Sequence, residues 1–72
     1  FGKLHQALPY LKAALEADPS VGDYWIGYIE VLIKLNKITD AKLLIDKAKN
    51  RGVSKTLLNK VELKIKNRFL QN

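Results

Sequence analysis

The chain has 72 residues, no cysteine and a formal net charge of +6. That length makes a single domain with a thin core. The missing thiols exclude a disulfide framework, a thiolate metal site and a cysteine nucleophile, and no stretch reaches the ~18 uninterrupted apolar residues of a membrane span.

The residues from Phe1 onward do not read as a signal sequence, so the expectation is a piece excised from a longer protein. Its compartment is open, with the cytoplasm favoured. Leu4, Ala7, Leu8, Leu11, Ala14 and Leu15 stand at helical spacing over residues 3–17, interrupted by Pro9. Proline removes a donor and clashes with the carbonyl four residues back, so this helix is either kinked at Pro9 or starts close to Leu8; both readings leave Tyr10 to Ala17 helical. Asp18-Pro19-Ser20 and Gly22 end the run, with Ser20 or Asp23 expected to cap the next helix.

From Asp23 to Leu35 the residues Trp25, Tyr28, Ile29, Leu32 and Ile33 recur at three-and-four spacing, and Asn36 closes the run as a residue that tolerates the left-handed conformation. A third helix begins at Thr39 or its neighbour, carries Ala41, Leu44, Ile45 and Ala48 on one stripe, and stops at Arg51-Gly52. Ser54 caps a fourth, in which Leu58, Val61, Ile65 and Phe69 share a face with Leu57 at its margin. Nothing alternates like a strand. The predicted fold class is all-α, about four helices, with the short link around Lys37-Ile38 forcing its neighbours antiparallel.

A repeat underlies this order. Ala7, Leu11, Ala14 and Pro19 return as Ala41, Ile45, Ala48 and Val53 at a constant offset of 34. Alanines at helix crossings let backbones approach while Ile45 fills the gap between them. Gly22 to Val53, with Trp25 as its early aromatic and Ala41, Ile45 and Ala48 as its small-large-small signature, resembles one full tetratricopeptide repeat, an α-solenoid unit of paired helices. The resemblance divides the chain into residues 1–20, the second helix of a preceding repeat; 21–53, a complete repeat; and 54–72, a C-terminal capping helix. Ile29 departs from a usually small position, which implies a wider contact between the paired helices, and Leu32 and Val53 replace the family's tyrosine and closing proline. The stretch Ala7 to Gly52 is also similar to repeats found beside glycosyltransferase, sulfotransferase or methyltransferase domains in larger bacterial proteins, and brings no catalytic residue with it.

Few residues of the chain suit chemistry. His5 is the only histidine and has no second ligand nearby, so no metal site is expected. The carboxylates Asp18, Asp23, Glu30, Asp40, Asp46 and Glu62 are dispersed along the chain, and the glycines are isolated rather than gathered in a phosphate loop. The chain reads as no enzyme and as needing no cofactor.

Binding is the remaining class. The resemblance implies a protein-interaction scaffold whose inner surface is lined by Asp23, Ile26, Glu30, Ile33 and Lys34. Ile26 and Glu30 stand where the clamp for acidic chaperone tails needs lysine and asparagine, which argues against that partner. The same register continued into the last helix gives Leu57, Lys60, Lys64, Asn67 and Arg68. This helix is also where the charge lies: five bases against Glu62 give residues 54–72 a charge of +4. Lys60, Lys64 and Arg68 form a stripe suited to the carboxylates of an acidic peptide, or else a solvating face on a capping helix.

Nucleic acid ranks below a protein partner, because Tyr10, Tyr24, Trp25, Tyr28, Phe1 and Phe69 fall at packing intervals rather than interleaved with bases. A membrane partner ranks below it too, since the apolar face of the last helix is needed for packing. A thin core leaves room for a second copy to cover apolar surface, a homo-oligomer. The alternative to a peptide-binding repeat is a small helical structural or oligomerisation module, accessory to a transferase domain in the intact protein.

Overall fold

The computed structural model describes the backbone of residues 2–70 and the side chains of residues 3–68. Among these residues the chain folds into four helices and no strand: α1 (Gly2–Ala17), α2 (Gly22–Lys34), α3 (Ile38–Asn50) and α4 (Lys55–Leu70). The all-α class and the helix order agree with the spacing of apolar residues.

α1 runs unbroken through Pro9, so a start near Leu8 is corrected. The ring is tolerated because Pro9 and His5, whose carbonyl loses its donor, both lie on the exposed face, where water reaches the backbone. The turn into α2 differs from expectation as well. Val21 occupies the N-cap position without a side-chain bond to the helix, while the Ser20 hydroxyl and backbone N–H both donate to Asp18 Oδ1. Ser20 is thereby spent on a local turn, and Asp23 already lies inside the helix. The Pro19 carbonyl accepts the indole Nε1–H of Trp25 at 2.9 Å, tying the turn to the start of α2.

The next two turns share one geometry. Asn36 (φ 62°) and Gly52 (φ 83°) take the left-handed conformation. After α2 the Asn36 and Lys37 N–H groups donate to the Ile33 and Leu32 carbonyls; after α3 the Gly52 and Val53 N–H groups donate to the Lys49 and Ala48 carbonyls. Both are Schellman endings, which satisfy the last carbonyls of a helix and reverse the chain over two or three residues. At the N-terminus of α2, a Cβ on Gly22 would lie 3.3 Å from Leu57 Cδ1, so this glycine permits the close approach of α4's first turn.

α2 is the central element, packing on α1, α3 and α4, with α3 also touching α4. The core draws Leu15 from α1; Trp25, Ile29, Leu32 and Ile33 from α2; Ala41, Ile45 and Ala48 from α3; and Leu58, Val61 and Ile65 from α4. Ala41 and Ala48 are both fully buried, as a close helix crossing requires, and Ile29, the bulky departure from the repeat pattern, is sealed completely. Burial of each large side chain contributes about 1.5–3 kcal/mol. Phe69, expected on the same face as Leu58, Val61 and Ile65, lies outside the described side chains. Lys49 on α3 and Glu62 on α4 form an ion pair at 3.2 Å across an exposed edge.

Candidate protein-interaction surface

α2 and α4 pack side by side, and their positions of equal register face one another. Lys64 Nζ donates to Glu30 Oε2 from a residue 34 places further along the chain. Farther toward the C-terminal end of α2, Arg68 Nη2 donates to Asn36 Oδ1 at 3.2 Å. These two contacts hold α4 in register along α2.

Around that seam the surface is mixed. Asp23 and Lys34 are exposed, Ile26 and Glu30 are half-buried, and Lys60, Lys64 and Asn67 are exposed on α4 beside a half-buried Arg68. Ile33 is the exception among the positions assigned to this surface. It is only 4% exposed and belongs to the core. Its place in the wheel explains this: at ~100° per residue Ile33 sits between the Glu30 side of α2 and the side carrying Ile29, so its bulk goes inward where α4 covers it.

The basic stripe is therefore partly engaged. Lys64 shares its charge with Glu30 and Arg68 is anchored to Asn36, whereas Lys60 projects free of any carboxylate among the described residues. Spacing assigns Asn36 only to helix termination. Its second role as acceptor for Arg68 is invisible to spacing, because it depends on how α4 returns across the C-terminal end of α2.

The aromatic side chains divide. Trp25 is buried and Tyr28 half-buried, as packing residues are, but Tyr10 is 77% exposed and Tyr24 36% exposed, contrary to the expectation that helical spacing places them in the core. Tyr10 follows Pro9 on the outward side of α1, and Tyr24 adjoins the exposed Asp23. Phe1 lies outside the described residues.

Among the described residues no three metal-ligating side chains gather, and no helix is long and apolar enough to cross a membrane. No curated protein and no solved structure gives a match to the chain. The family model of the tetratricopeptide repeat, by contrast, matches residues 1–61. With that match spanning α1 to α3 and the first part of α4, and with small residues sealed at the helix crossings, the chain belongs to the tetratricopeptide repeat family.

Proposed function

We propose that this chain is a protein-interaction scaffold without catalysis of its own, and that it holds a peptide or partner domain along the surface shared by α2 and α4, the inner face of the repeat. The family supplies the general class, since tetratricopeptide repeats are protein-binding modules. The observation that carries the finer reading is the registered seam of Glu30 with Lys64 and Asn36 with Arg68. A seam of this kind fixes the spacing of the exposed residues on both sides, so Asp23, Ile26 and Lys34 on one helix and Lys60 and Asn67 on the other are presented as one rigid array.

An acidic segment suits this array. Lys60 is uncommitted, Lys34 adds a second exposed cation, and Lys64 can exchange Glu30 for a ligand carboxylate with little loss, because that pair is partly solvent-exposed and screened. In this reading residues 21–53 form one complete repeat, residues 1–20 the second helix of the repeat before it, and 54–72 the helix that closes the array.

The test is a titration of an acidic peptide library against the unaltered chain and against a Lys60→Ala/Lys64→Ala double variant. Selected peptides should bind the variant at least ten-fold more weakly. Equal affinity for both proteins would exclude this surface as the binding site.

A further inference from the structure

A second groove lies on the opposite side of α2. At ~100° per residue, Trp25 and Tyr28 point about half a turn away from Asp23, Glu30 and Lys34, toward the space between α1 and α3. The groove there encloses about 520 Å³, within the ~300–1,000 Å³ range of ordinary ligand clefts. Its apolar lining comprises Leu15 from α1, Trp25 and Tyr28 from α2, Leu44 from α3, and Pro19 from the turn before α2. Leu44 and Tyr28 are half-buried, so part of that lining is open to an incoming side chain.

The rim is basic. Lys47 and Arg51 stand one turn apart on the α3 side, and Lys12 faces the groove from α1 beside Glu16. None of the three cations is ion-paired with a carboxylate among the described residues. Three cations and one carboxylate leave a local surplus of +2 around an apolar floor. Low-dielectric walls beneath such a rim concentrate its field on whatever occupies the cleft.

We propose that this groove is a second interaction site, which takes an extended peptide segment of a partner protein carrying a bulky apolar residue flanked by carboxylates. The apolar residue seats on Leu44 and Tyr28, and the carboxylates accept charge-assisted hydrogen bonds from Lys47 and Arg51 on the α3 side. The α1 side, where Glu16 offsets Lys12, contributes less, so the ligand runs along α3. The site is independent of the α2–α4 surface, and the two lie on opposite faces of one helix.

Trp25 makes the test direct. It is the only tryptophan, lies in the groove floor, and donates its indole N–H to Pro19 beside it, so its single indole N–H resonance reports on this site. The probe is the peptide Asp-Glu-Leu-Phe-Glu-Asp, compared with Asp-Glu-Gly-Gly-Glu-Asp, with Lys-Lys-Leu-Phe-Lys-Lys and with a single-stranded oligothymidylate. The first peptide should shift the resonance saturably, and the glycine and lysine peptides should bind at least ten-fold more weakly. Lys47→Glu/Arg51→Glu should weaken the first peptide at least ten-fold; the milder Lys47→Gln/Arg51→Gln, which preserves the exposed face and the fold, should weaken it several-fold. Lys60→Ala/Lys64→Ala should leave the shift unchanged, which separates this site from the α2–α4 surface. No shift, an equal shift in the Lys47/Arg51 variants, equal binding of the lysine peptide, or tighter binding of the oligothymidylate would each overturn the proposal.

Discussion

Lys64 donates to Glu30 from the same position one repeat later, 34 residues along the chain. The pair makes the repeat visible as a contact: equal positions on α2 and α4 lie side by side, and a carboxylate on one meets an ammonium on the other. The two side chains remain 31% and 51% exposed, so the Coulomb gain is screened and the pair serves register more than stability. Replacing Glu30 by glutamine should therefore change the unfolding free energy by less than ~1 kcal/mol. The same change frees Lys64, so affinity for an acidic ligand on this surface should rise. A fall in that affinity would mean that Glu30 itself helps to hold the ligand.

The helix crossing of α2 and α3 gives a sharper prediction. Ala41 is 0% exposed, and its small volume sets how closely the backbones approach. Ala41→Leu should cost about 1–3 kcal/mol through overpacking, read as a lower midpoint in urea at an unchanged slope. An unaltered midpoint would mean that the crossing is loose enough to absorb a whole isobutyl group, and close packing at Ala41 would have to be abandoned.

The bond from Trp25 to the Pro19 carbonyl ties the turn after α1 to α2 at 2.9 Å. Trp25→Phe keeps a large apolar ring but leaves that carbonyl without its donor and opens a small void. The combined cost should be about 1–3 kcal/mol. Amide exchange at Val21, whose N–H donates to the Asp18 carbonyl in the same turn, should accelerate before exchange in the α3 interior does. Uniform acceleration throughout the chain would place the bond's effect on global stability rather than on the turn.

Two turns of like geometry respond differently to substitution. Gly52 has φ 83° with nothing within 4 Å of an added Cβ, so Gly52→Ala isolates the backbone penalty, about 1 kcal/mol. Asn36 takes φ 62° with a side chain, and Asn36→Gly relieves that conformation while removing the acceptor for Arg68. The two effects offset each other to within ~1 kcal/mol. Thermal melts of both variants, with Arg68→Ala as the reference for the lost hydrogen bond, separate backbone strain from side-chain contact.

The turns also explain what sequence can and cannot reveal. Helix stops at Asn36 and Gly52 are legible because only a few residue types tolerate left-handed backbone, and the core is legible because Trp25, Ile29, Ala41, Ile45 and Ala48 repeat with the helical period. The cap before α2 misleads: Ser20 has the right chemistry for an N-cap, but Asp18 is two residues away and captures it first. Pro9 misleads because a proline's cost depends on whether its face is wet, which composition alone does not give. Ile33 lies on the boundary between two faces of α2, where a rotation of a few tens of degrees decides burial. The groove between α1 and α3 escapes a sequence reading for another reason: Lys47 and Arg51 share a turn of α3, but Lys12 comes from α1, and only the packing of the two helices on α2 brings them together.

A homodimer of this chain, if it forms, would need apolar surface that the fold leaves bare. Leu63 on α4 is 56% exposed, whereas Ile29, 34 residues earlier at the same register on α2, is fully sealed. On another side of α4, an open groove of about 490 Å³ between α3 and α4 reaches Ile45 and Ile65. A second copy packed on α4 would cover Leu63 as the fold covers Ile29. At high concentration the chain should therefore sediment above its 8.2 kDa monomer mass, and its melting temperature should rise with concentration. Leu63→Lys should return it to a monomer without lowering the melt of the dilute protein, since that side chain already faces solvent. A monomer at every accessible concentration would assign Leu63 to a surface that solvent alone covers.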